Sequence, residues 1–129
     1  MPTTKLNYLL TCDQAFSDEK NKLSIIGVFD RIQSKAVPAI HPRFSIVVNT
    51  TGDLNSSHLE KIEIINLQNN LPVASLEQQI NFTSSNMHNF LGNFINTLFP
   101  NFGKYWIKVS IDEKIITNQE QHYVSVEQA

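Results

Sequence analysis

Among its 129 residues the chain has one cysteine, four glycines, one tryptophan and ten lysines and arginines. Each scarcity excludes something. With Cys12 alone no internal disulfide can form, which favours a reducing compartment, so a cytoplasmic protein is expected. Four isolated glycines leave no phosphate-cradling loop, no dinucleotide fingerprint and no Gly-x-Ser-x-Gly nucleophile turn. The basic residues are scattered and the net charge is −2, so the chain carries neither a nucleic-acid stripe nor a polybasic membrane anchor. No apolar run approaches the roughly 18–20 residues of a membrane span. Leu9-Leu10-Thr11-Cys12 has the outline of a lipoprotein cleavage site, but the apolar run before it is short and Asn7 interrupts it. Asparagine is abundant where glycine is scarce, which at this level reads as codon usage. Asn49-Thr50-Thr51, Asn55-Ser56-Ser57 and Asn81-Phe82-Thr83 match the glycosylation acceptor pattern, which has meaning only in a secretory pathway.

What is present is alternation. Hydrophobic residues make up 41% of the chain and charged residues 17%, a balance that suits one globular domain spanning 1–129. Tyr105, Ile107, Val109 and Ile111 share one side of a strand, with Trp106, Lys108 and Ser110 on the other. The same period runs through Ala74 to Phe82, through Phe44, Ile46 and Val48, and through Ile62 and Ile64 opposed by Lys61 and Glu63. Leu6, Tyr8, Leu10 and Cys12 predict a first strand with Cys12 inward, and Gln14 to Lys22 a polar connection. Leu23 to Ile32 is apolar on both faces, as in a doubly covered strand. Val37 to Pro42 reads as a stiff connector between two prolines. Met87 to Phe99 is ambiguous, because its aromatic stripe fits a helix. Gly92 and the asparagines in it cost a helix roughly 3 kcal/mol in total, so a strand is expected there. The last two strands are Lys104 to Ile111 and a bent run from Lys114 to Glu127. Before the first of these, Pro100, Gly103 and Tyr105 form a Pro-x-x-Gly-x-Tyr corner, frequent in immunoglobulin-like sandwiches. The expected fold is all-β: a single immunoglobulin-like β-sandwich of seven to nine mostly antiparallel strands.

Several landmarks together resemble a family of uncharacterised bacterial domains of unknown function. They are Cys12-Asp13, Lys22 to Asp30 with its Gly27-Val28-Phe29-Asp30 end, Pro38 to Phe44 with His41-Pro42-Arg43-Phe44, and Phe99-Pro100 with Gly103 and Tyr105. The resemblance implies an all-β sandwich and supplies no activity. The family pattern expects Asp-Gly in the last hairpin turn, where this chain has Asp112-Glu113, which puts the tight turn in doubt.

Chemistry-bearing residues are few. Asp30 ends an apolar strand, where it can pair with Arg31 or Arg43 or cap a turn. His41, between Ile40 and Pro42, is placed to hold a backbone carbonyl. Asp30, His41 and Arg43 are the candidate polar site, and would be the first residues to test in an enzyme. Cys12 reads as a small buried hydrophobe. His41, His58, His88 and His122 show no metal-ligand spacing, and Asp13, Asp18, Glu19 and Asp53 could hold calcium only if two loops met. No metal or cofactor is expected. Trp106, turned away from the core face beside Lys108 and near Phe102, is the candidate partner anchor. The expected function is a non-catalytic binding or assembly module that uses a sheet face or edge. It engages a protein partner or a second copy of itself, with no part for nucleic acid or membrane. The alternative is a sandwich binding a small ligand or metal through a loop cluster.

Overall fold

The computed structural model describes residues 4–20 and 22–129. Among them lie ten strands and no helix: β1 (Lys5–Ser17), β2 (Leu23–Val28), β3 (Arg31–Ser34), β4 (Ala39–Thr51), β5 (Ser56–Asn66), β6 (Leu71–Phe82), β7 (Met87–Phe99), β8 (Gly103–Ile111), β9 (Lys114–Ile115) and β10 (Tyr123–Gln128). They form a four-stranded sheet in the order β2-β1-β4-β7 and a six-stranded sheet in the order β3-β10-β8-β5-β6, with β9 beside β8. Every pairing is antiparallel except that of β3 with β10. The two sheets share one core, which includes Phe44, Ile46 and Phe94 from the first and Ile62, Tyr105 and Ile107 from the second.

The count exceeds the expected seven to nine because two runs divide. Leu23 to Ile32 leaves the smaller sheet after Val28, crosses at Phe29-Asp30 and joins the larger sheet as β3. The last run divides into β9 and β10, and the gap between them is bridged by a side chain. Ile116 N–H donates to the Val109 carbonyl and Ile107 N–H to the His122 carbonyl. Between these, the buried Thr117 hydroxyl accepts from Val109 N–H (3.0 Å) and donates to the Ile107 carbonyl (2.8 Å).

Met87–Phe99 is a strand, as expected, but its facing changes partway. Phe90 and Phe94 point into the core on one parity, Phe99 on the other. The change falls at Asn96, whose φ of 52° reverses the chain locally opposite Pro42, which has no N–H to offer the ladder. Asn55 and Asn70 also hold positive φ, at 65° and 61°. Asparagine therefore takes turn positions that glycine would otherwise fill, a structural account of the composition that codon usage does not give. The first strand also departs from its pattern. A bulge between Leu6 and Tyr8 shifts the register, so that Leu9, not Tyr8, packs towards the main core.

The Asp112-Glu113 turn is tight after all. Both residues take positive φ, 49° and 70°, as a type I′ hairpin turn requires. The Asp112 carboxylate accepts from Leu59 N–H at 2.9 Å and meets His58 Nδ1 at 2.7 Å, so it holds the turn from outside. These bonds, the Leu59 amide first, draw the Asp112 carboxyl below its usual range.

Two core groups carry specific consequences. Tyr105 is fully buried, and its hydroxyl donates to the Asn101 carbonyl at 2.7 Å while accepting from Asn101 N–H at 3.1 Å. This is a closed tyrosine corner. Glu60 is also fully buried, on the face of β5 that carries Ile62 and Ile64, and neither carboxylate oxygen finds a partner among the described residues. Burial pushes its carboxyl up to about 8.

Truncation of Tyr105 to Ala should cost about 3–5 kcal/mol. Tyr105→Phe, which orphans both Asn101 groups, should cost about 1–3 kcal/mol. Urea melts of the two variants check this, and equal small losses would contradict the corner. For Glu60 the sign follows from the unfolded chain, which gives up its proton near 4.5 while the folded protein holds it to about 8. Stability should therefore fall as pH rises across that window, by roughly 4–5 kcal/mol in total. Glu60→Gln should match the parent near pH 4 and exceed it progressively towards pH 8. Parallel stability–pH curves for the two proteins would show that Glu60 ionises freely in the fold.

Candidate functional site

The outward face of the larger sheet is built by alternation along β8. Because Tyr105 and Ile107 enter the core, Lys104, Trp106 and Lys108 face away from it. Register then decides what stands beside Trp106: Tyr123 of β10 on one side and Ile65 of β5 on the other. Tyr123 and Trp106, both half-buried, form an aromatic ridge across two strands, with Ile65 buried beside it. Trp106 is half-buried in it, and its indole N–H is enclosed with no acceptor among the described residues. Lysines lie against the rings. Lys104 Nζ is 4.4 Å from the Tyr123 ring centre and Lys108 Nζ is 5.8 Å from that of Trp106. Glu63 lies 3.9 Å from both Lys61 and Lys108. Phe102 is not beside Trp106 on the ridge: it is half-buried against the main core and lines a neighbouring cleft of about 500 Å³.

That cleft brings together residues from both candidate groups, Phe102 and Asp30, with Arg31, Lys104 and Tyr123. Asp30 lies at the crossover between the sheets. Its backbone carbonyl accepts from Ser125 N–H, and its exposed carboxylate is 3.5 Å from Arg31. Arg31 also reaches Glu127 at 3.7 Å. His41 stands on the other side of the crossover. Its ring packs 5.8 Å from Phe29 and 5.4 Å from Phe44, and its Nε2 is enclosed without the carbonyl partner the sequence suggested. Burial lowers its affinity for a proton, against a smaller opposing pull from Asp13. A cleft of about 310 Å³ joins His41 to Asp13, Phe29, Arg31 and Gln33. Arg43 is exposed and paired with Ile95. The irregularity at Pro42 separates it from His41, so Asp30, His41 and Arg43 do not meet as one group. Of the two partners the sequence offered Asp30, the structure gives it Arg31 and not Arg43. Sequence reasoning missed Tyr123 and Lys104; the pairing of β8 with β10 carries them to the site, and alternation within one strand cannot show it.

The expected connection from Gln14 to Lys22 begins as strand. β1 continues to Ser17 and pairs with β2, and the resulting hairpin folds back over the outer side of the smaller sheet. There Leu23 and Ile25 pack with Cys12, Ala15, Val47 and Leu91 in a second apolar cluster, and Ser17 reaches a cleft lined by Asn49 and Asn89. Cys12 is thus buried, but beneath this arm and not in the main core, and burial raises its thiol pKa. The bend lies where Asp13 faces Gly27, between the pairs Cys12–Val28 and Gln14–Ile26. Gly27 has a φ of +71°, and a Cβ there would collide with the Asp13 carboxylate. Two of the landmarks noted in the sequence, Cys12-Asp13 and Gly27-Val28-Phe29-Asp30, are therefore the two sides of one bend.

Among the described residues no three His, Cys, Asp or Glu side chains are grouped to hold a metal ion, and no helix is long and apolar enough to cross a membrane. A family model described as a family of unknown function, DUF6941, matches residues 7–121. A search of curated proteins finds no match.

If the arm shields Cys12, loosening its bend should expose the thiol. Gly27→Ala places a Cβ against Asp13 at positive φ and should cost about 1–2 kcal/mol. Thiol labelling near neutral pH should be slow in the parent and several-fold faster in the variant, with strand content unchanged by circular dichroism. Equal labelling rates would mean that something other than the arm protects Cys12.

Proposed function

We propose that this chain, which belongs to the family of unknown function DUF6941, is a non-catalytic binding module whose contact surface is the outward face of the larger sheet, centred on Trp106. The observation that carries the reading is the half-buried pair of Tyr123 and Trp106, with a lysine laid against each aromatic ring. Aromatic side chains on a strand face, ringed by charge, are where protein contacts concentrate their energy. The partner is another protein or a second copy of this chain. The parallel pairing of β3 with β10 and the closed corner at Tyr105 support an immunoglobulin-like arrangement of the two sheets. The single buried cysteine accords with a reducing cytoplasm as the setting. A second reading, a small-ligand site, draws on the clefts of about 310 to 500 Å³ that flank the crossover at Phe29 to Arg31.

Trp106→Ala should weaken self-association or partner capture by more than about 1 kcal/mol, roughly fivefold or more, while the fold persists. Sedimentation and affinity capture beside a thermal melt check this. An unchanged assembly state and partner set would remove this face from consideration, and a collapsed melt would make Trp106 a packing residue.

A further inference from the structure

Ser125 pairs in register with Arg31 of β3 on one side and with Lys104 of β8 on the other. Side chains paired across strands share a face, with Cβ atoms about 4.5–5.5 Å apart, so a cation, a hydroxyl and a second cation stand in one row. The row floors the cleft of about 500 Å³ and lies next to the Tyr123–Trp106 pair, two residues along the same strands. Lys104 forms no ion pair among the described residues; its ammonium lies against the Tyr123 ring. Arg31 has only long contacts, 3.5 Å to Asp30 and 3.7 Å to Glu127, and all three side chains are well exposed. Pairs of that kind hold weakly in water, so a better-placed carboxylate can replace them and use the planar fork of the guanidinium. Beside the row, β3 is the outermost strand of its sheet, and its free edge can accept an extended chain. The net charge of −2 gives no general attraction for acids, so selection must come from this row.

We infer that this cleft receives a glutamate or aspartate side chain from an extended acidic segment of a protein partner, with Arg31 and Lys104 holding the carboxylate above Ser125. The inference rests on the reading of this face as the contact surface and names the chemistry it selects. Asp30 and Glu127 are the resting partners of Arg31 and are displaced when the segment binds.

Trp106 is the sole tryptophan, so its emission reports on the ridge directly. The full chain is titrated with a blocked peptide alternating Glu and Val, with its Gln and Lys counterparts, and with inorganic phosphate and acetate. A saturable change is expected with the Glu peptide alone. It should weaken at least tenfold in the Arg31→Gln, Lys104→Gln double variant, whose substituted side chains are at the surface, and weaken with added salt. Equal binding of the Gln or Lys peptide, an unaffected double variant, saturation by phosphate alone, or no saturation at all would each overturn the inference. Trp106-dependent capture that survives such a failure would leave the contact face standing and remove only its acidic selectivity.

Discussion

Burying both faces of β4 is the constraint from which the rest of the architecture follows. Phe44, Ile46 and Val48 fill the space between the sheets, yet Val47, on the opposite side of the same strand, is as fully enclosed as they are. A strand apolar on both faces cannot lie at a wet surface. The larger sheet covers one side. For the other, the described residues offer no further sheet and no helix, and the first hairpin serves instead. That hairpin reaches back over Val47 and Leu91 only because the chain bends sharply at Asp13 and Gly27. The landmarks Cys12-Asp13 and Gly27-Val28-Phe29-Asp30 are the means by which a two-sheet domain gains a partial third layer.

The parts of the fold that were legible are those where alternation runs unbroken over a half-buried strand. Along β8 and β6 the expected faces hold, and the corner at Tyr105 closes as its spacing suggested. Legibility fails wherever the backbone changes parity. The bulge after Leu6 moves Leu9 inward, and the positive φ at Asn96 transfers core duty from Phe94 to Phe99. Neither event leaves a mark in hydrophobicity, because the same residue types continue on both sides of it. The arm was hidden for a different reason. Most of its side chains face water, so its composition resembles a loop although its backbone is paired. Glu60 was missed although a signal was present: it shares parity with Ile62 and Ile64, and a carboxylate on that face has nowhere to go but inward.

The candidate surface shows the same division. Trp106 could be assigned to the outward face from its own strand. What surrounds it could not, since Tyr123 and Ile65 arrive from β10 and β5 by register. A lone tryptophan has two ordinary fates, roofed by a loop or offered to solvent. Here it has a third, set between neighbours on its own sheet with its indole nitrogen enclosed and Lys108 against its ring.

The seam between β9 and β10 has a consequence for how this domain can vary. The chain leaves the ladder at Ile116 and rejoins it at His122, and in the interval one hydroxyl, that of Thr117, serves the backbone of β8. The intervening loop closes on itself through Asn118, whose side chain accepts from Gln121 N–H. Its length is therefore uncoupled from strand register. Residues can be added, lost or exchanged between Asn118 and Gln121 while β8 keeps its bonds to Ile116, Thr117 and His122, which makes this seam a natural port for grafting a new segment onto an unaltered sheet.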